Sequence, residues 1–274
     1  MAILRSTPWG NNKPPVGWRS DARAVANLGI VGAWLFNEGA GGLAFDSIRN
    51  NTATITGGVN WTAGRFGGPA LKFDASSGYL NVTSGFCSAI GTGDFVVSMW
   101  VYPTSFTGEC CLFDSLVNGG AGARNDAFVL VRNATTGTIR VFSAGTYRSS
   151  SANALVINQW NHVVHMRSAG VGYFFLNGVL DTTTFAFTTN CTSGGAVVGK
   201  YADTSSGFFA GLIDAVSVSF RASTVTQLDG FYRDPFSWMQ PIPRRAVTAP
   251  AAPVGGARPW IYQNTNVIVG GGTF

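Results

Sequence analysis

The 274-residue sequence predicts an all-β chain: two antiparallel sheets packed as a sandwich, one short C-terminal helix, and extended N- and C-terminal arms. Three observations lead there. Short β-rich runs bounded by Gly, Asn, Asp or Ser recur along residues 28–236, whereas helical periodicity occurs once. The chain holds 36 Gly, 20 Phe and 8 Trp, which suits tight turns around a large aromatic core. Charged residues make up only 11%, against roughly 25% in an ordinary soluble domain. A disordered chain would show the reverse balance. Ser, Thr, Asn and Gly must then cover most of the surface, which suits a protein packed against neighbours.

The net charge of +5 sits at the ends. Arg5, Lys13, Arg19 and Arg23 against Asp21 give residues 1–27 a net +3. Arg233, Arg244, Arg245 and Arg258 against Asp234 give residues 233–274 another +3, leaving the body at −1. A nucleic-acid binder would carry a basic stripe on its folded face, so the charge argues against nucleic acid and for an acidic protein surface as the arms' partner. No run approaches the ~18 apolar residues that span a bilayer. The N-terminal MAILRSTPWGNNKPP lacks the apolar stretch of a secretory signal, which predicts synthesis in the cytoplasm.

Residues 1–27, with Pro8, Pro14 and Pro15, read as an extended arm. Strands are then predicted at 31–36, 70–73, 79–82, 95–102, 127–131, 138–143, 162–167, 173–176, 196–199 and 213–220. In the last, Ile213, Ala215, Ser217 and Ser219 alternate with Asp214, Val216, Val218 and Phe220 on the opposite face. Asn177-Gly178 reads as a two-residue hairpin turn. Val225, Leu228 and Phe231 recur at helical spacing behind a Ser/Thr cap and before Pro235, predicting a helix over 223–232. Residues 237–274 form a second, Pro/Gly-rich arm, with strand-like segments at 260–262 and 266–269 that would dock on another surface. Cys87, Cys110, Cys111 and Cys191 lack zinc-like spacing and read as buried thiols, a disulfide at Cys87 or Cys191 being the alternative.

Seven segments, in order, carry a family resemblance: GIVGAWLFNEG at 29–39, GRFG at 64–67, ALKFD at 70–74, FVVSMWVYP at 95–103, FLNGV at 175–179, GFFAGLIDAV at 207–216 and FYRDPF at 231–236. Asp46-Ser47, Trp61 and Trp160-Asn161-His162-Val163 fit between them. Residues 28–236 thus resemble a laminin-G-like, concanavalin-A-like jelly-roll domain, of the kind found in tailed-phage structural proteins. The resemblance implies a jelly roll and a calcium ion at the sandwich edge, with Asp46 and Asp214 at the matching positions. The acid that usually follows the second aspartate is Ala215 here.

Hydrolysis of a glycoside needs two facing carboxylates. The chain has only two glutamates, Glu38 and Glu109, far apart in sequence. His162 and His165, the two histidines, accompany no nucleophile elbow and read as hydrogen-bonded core residues. The expectation is a non-enzymatic protein. Tyr147, Tyr201 and Trp238 are candidate platforms for a sugar ring.

With the resemblance, the arms point to a virion surface protein, a capsid decoration or cement protein fastened to the major capsid protein, to other virion subunits or to copies of itself. Arg5, Arg19, Arg23, Arg244, Arg245, Arg258, Trp260, Tyr262, Val267 and Val269 would make those contacts, by charge and by strand addition. The alternative is a carbohydrate-binding tail-fibre or host-attachment module that recognises glycans.

Overall fold

The computed structural model describes residues 12–14, 20, 22–83, 85–115, 129–133, 136–192, 194–202 and 204–239. Within them the chain is built from antiparallel strands, as the sequence predicts. The first sheet contains β1 (Ile30–Trp34), β4 (Val59–Ala63), β5 (Pro69–Asp74), β7 (Phe95–Pro103), β12 (Asn161–Ser168), β13 (Val171–Leu176), β14 (Val179–Ala186) and β16 (Ala210–Ser219). The second contains β2 (Leu43–Ala44), β3 (Ala53–Thr56), β6 (Tyr79–Val82), β8 (Cys110–Asp114), β9 (Val129–Arg132), β10 (Thr138–Ser143), β11 (Thr146–Ala154) and β15 (Ala196–Val198). Their orders are β14-β13-β12-β7-β16-β5-β4, with β1 also on β16, and β11-β10-β9-β8-β15-β6-β3-β2.

A single aromatic and aliphatic core joins the sheets, including Phe73, Phe95, Val97 and Phe174 from the first and Leu80, Leu112, Ile139 and Val141 from the second. The first sheet is buried on its other face too. Helix α1 (Ala22–Leu28), helix α2 (Val225–Arg233) and the 3-10 turn Ser237–Met239 cover it through Trp100, Phe236, Trp238, Met239 and Leu228. That double burial explains why β7 and β12 read as unbroken buried runs. Both described α-helices lie on that side, and no described helix is long and apolar enough to cross a membrane.

Turn and cap chemistry follow the residues. Asn177 (φ 53°) and Gly178 (φ 81°) make the predicted two-residue turn, closing Leu176 on Val179. Thr224 accepts from the Gln227 amide while Gln227 accepts from the Thr224 amide, a capping box that starts α2. Of the three apolar residues expected to bury, Leu228 does, Phe231 packs partly and Val225 is exposed.

Two expectations are corrected. Part of the 1–27 arm is helical: α1, rich in helix-favouring Ala, Arg and Leu, rests Ala24, Val25 and Leu28 against the cluster of Trp238 and Met239. The alternation expected in β16 also breaks. Ala215 is left-handed (φ 50°) and the register shifts between Asp214 and Ser217. This bulge puts Ile213, Val216 and Val218 on the core side together and turns Ala215 outward. It also divides β16 between partners: Ala210–Ile213 pairs with β5, and Val216–Ser219 with β1.

Candidate functional site

The second sheet has no described helix on its outer face. Along β10, Ile139 and Val141 point into the core, so period-2 alternation sends Arg140 and Phe142 outward. Phe142 lies opposite Tyr147 of β11, with their rings 4.7 Å apart. The Arg140 guanidinium lies over the Tyr147 ring at 3.9 Å and pairs with Glu109, which immediately precedes β8. Glu109 Oε1 also accepts hydrogen bonds from Tyr147 Oη (3.0 Å) and from Tyr201 Oη. Tyr201 and Phe142 pack on buried Cys111.

Four residues from β10, β11 and two loops therefore converge. Burial pushes the Tyr201 phenol upward, so it stays protonated as a donor to Glu109. Tyr147 remains 42% exposed, and the Arg140 and Glu109 side chains about one-fifth exposed at 19% and 20%. Beside them, Lys200 Nζ donates to the carbonyls of Tyr201 and Thr204, both at 3.0 Å, and lies 4.7 Å from the Tyr79 ring. The face offers aromatic surface next to a carboxylate and a guanidinium, the chemistry that recognises polyols with apolar CH faces.

Of the three platforms considered from sequence, Tyr147 and Tyr201 come together. Trp238 does not: it is 4% exposed in the cluster under α1, with Nε1 donating to Pro235 O at 2.9 Å. Glu38 accepts from the Phe45 amide at 2.7 Å and takes no part in the Glu109 cluster. Arg140 and Lys200 were missed from sequence. The outward phase of β10 was the available signal for Arg140, and no strand pattern marked Lys200.

Both histidines are buried in the core. His162 Nε2 is 2.8 Å from Ser98 Oγ, and its ring stacks on Trp100. His165 Nδ1 faces Tyr173 O at 3.2 Å among Phe95, Phe174, Phe185 and Phe187. Burial lowers both to about 3, so each is neutral. All four cysteines are buried thiols that form no disulfide.

Asp46 and Asp214, the expected calcium ligands, do not fit an ion. Asp46 Oδ1 accepts from the amides of Ala33 (2.8 Å) and Ile48 (2.9 Å), and Oδ2 from Asn51 Nδ2 (2.7 Å). It staples the 46–51 loop to β1. Asp214 Oδ1 is paired at 2.5 Å with Lys13 Nζ, and Oδ2 accepts from the Arg65 amide at 3.1 Å. Nitrogen donors already take the oxygens an ion would need. Among the described residues no group of three or more His, Cys, Asp or Glu side chains gathers.

Arg23, on α1, is exposed. Arg5, Arg19, Arg244, Arg245, Arg258, Trp260, Tyr262, Val267 and Val269 lie outside the described residues.

The fold and this aromatic face, which no described helix covers, define a lectin-like β-sandwich. Residues 73–229 match the family model described as the concanavalin A-like lectin/glucanases superfamily, and the chain belongs to that family. No curated protein matches it at a significant level. Among solved structures it is similar to domain 4 of the extracellular arabinanase AbnA from Geobacillus stearothermophilus, in complex with arabinotriose, at 20% identity and TM-score 0.57, covering 73% of this chain and 96% of that one. It is similar to Trypanosoma rangeli sialidase in complex with sialic acid at 13% identity and TM-score 0.59, covering 74% of this chain but 32% of the sialidase. The receptor-binding domain of a botulinum neurotoxin C/D mosaic serotype matches at 14% identity and TM-score 0.57, over 78% of this chain and 55% of that one.

Proposed function

We propose that this protein binds carbohydrate on the outer face of its second sheet, without hydrolysing it. One observation carries the reading: Glu109 and Arg140 are paired beside the exposed Tyr147 ring, on a sheet face that no described helix covers. The part of the Tyr147 ring left free by Arg140 would stack on a sugar face, while the carboxylate and guanidinium would hydrogen-bond its hydroxyls. The arabinanase domain described above was solved in complex with arabinotriose, which supports an oligosaccharide as the ligand class. Glu109 contacts two phenols and a guanidinium, an arrangement suited to holding a ligand rather than to paired acid–base work.

A glycan array probed with the full chain and with Tyr147→Ala tests this. Binding to a defined glycan set that Tyr147→Ala loses, with its circular dichroism unchanged, is the expected result. Absence of binding to any glycan at millimolar sugar would sink the reading.

Most of the arm residues of the virion-scaffold reading lie outside the described residues; of the basic residues of 1–27 that are described, Arg23 is exposed and Lys13 is docked in its own sandwich.

A further inference from the structure

The bulge in β16 leaves a gap where that strand exchanges β5 for β1, and Asp214 stands in it with 0% exposure. Lys13 enters the gap from the N-terminal segment. Its amide donates to Phe66 O at 2.8 Å, and Asn37 Nδ2 donates to Pro14 O at 3.2 Å. The ammonium then meets three oxygens from three segments: Asp214 Oδ1 at 2.5 Å, Phe36 O at 3.1 Å just past β1, and Pro69 O at the start of β5. Lys13 is 8% exposed.

The turn 64–68 is shaped to admit it. A Cβ on Gly64 would lie 2.5 Å from Asp214 Oδ2, and one on Gly68 would lie 3.1 Å from Lys13 Cδ. The cage therefore combines one carboxylate and two carbonyls, hard oxygen donors of the kind that hold small cations.

We propose that this cage is a cation site whose occupant is tethered: the Lys13 ammonium fills the position that a free cation would take, and removing it leaves a binding site for a small oxygen-seeking cation. A buried carboxylate whose partner is removed is strongly destabilising, because its charge is left uncompensated. A free cation that can reach the oxygens should restore the balance. The wild-type chain should in turn be indifferent to calcium and to chelators.

Thermal unfolding of the full chain tests this, with Lys13→Ala and Lys13→Ala/Asp214→Asn beside wild type. CaCl2, methylammonium chloride or choline chloride is added at equal ionic strength, choline being too large to enter. Lys13→Ala should lose about 10 °C in Tm and regain most of it with millimolar Ca2+ or methylammonium, but not choline. The double variant should show no such rescue, and wild type no shift with Ca2+ or EDTA. Should Lys13→Ala not fold alone, refolding yield with either small cation becomes the readout. An unchanged Tm, a loss that neither cation restores, or equal rescue of the double variant would overturn the proposal.

Discussion

The Arg140 guanidinium lies 3.9 Å from the centre of the Tyr147 ring while pairing with Glu109, so one side chain links an aromatic platform to a carboxylate. Both contacts are partly exposed, and such contacts contribute about 0.5–1 kcal/mol each. Arg140→Ala should therefore lower the urea-unfolding free energy by only about 1 kcal/mol. The same change should weaken glycan binding by tenfold or more, as measured by calorimetry on an array hit. A stability loss several times larger would make Arg140 a structural residue first.

His162 and His165 predict acid sensitivity. Burial is the main cause of their lowered pKa values, with Arg65 adding to it at His162 and Arg167 at His165. Folded values of about 3 lie below the unfolded value of about 6.5. The unfolded chain thus takes up protons that the folded chain refuses. Stability is complete above pH ~6.5 and drains as pH falls toward 3, by about 1.4 kcal/mol per pH unit for each histidine. Asp214 opposes this in part. Burial raises its carboxyl to about 6, so between that value and the unfolded value of about 3.9 it gains stability as pH falls. Asp46, raised by burial as well, acts in the same direction as Asp214, so the net slope between pH 6 and 4 should be shallower than that of two histidines. Urea midpoints across pH would show it, and His165→Phe, placed among its four phenylalanines, should flatten the slope.

Gly211 holds β16 against β7. Its φ is 144°, and a Cβ there would lie 2.1 Å from the Tyr102 carbonyl oxygen. The obstacle is backbone, so no rotamer change relieves it. Gly211→Ala should cost about 3 kcal/mol or more, seen as a large loss of soluble yield or of urea midpoint. A variant within about 0.5 kcal/mol of wild type would mean that the strand can slide.

Much of the fold is legible where local chemistry decides it. Asn177-Gly178, the Thr224 cap and the buried runs of β7 and β12 all follow from neighbouring residues. Strands such as β4 and β14 were missed because they lie at sheet edges and carry Thr, Asn and exposed Val or Leu, which blurs the period-2 pattern. The face reversal in β16 comes from one left-handed alanine, a conformation that residue type does not announce. The candidate site was legible only in pieces. Tyr147 and Tyr201 were visible as aromatics, but Glu109 meets them across 38 and 92 residues of chain, and only the sheet order creates that meeting. Lys13 and Asp214 were harder still, since a lysine in a proline-rich segment looks like any solvated arm charge.

The burial of all four cysteine thiols has a practical consequence. Burial raises the Cys87 and Cys110 thiols, and a thiol must ionise and meet solvent before it reacts. Alkylation of these two can then proceed only as fast as the core opens. Cys87 and Cys191 lie near the bridge between Gly91 and Cys191, whereas Cys110 and Cys111 lie within β8. The order in which Cys87 and Cys110 take up label would report which part of the core opens first, with no probe added to the chain.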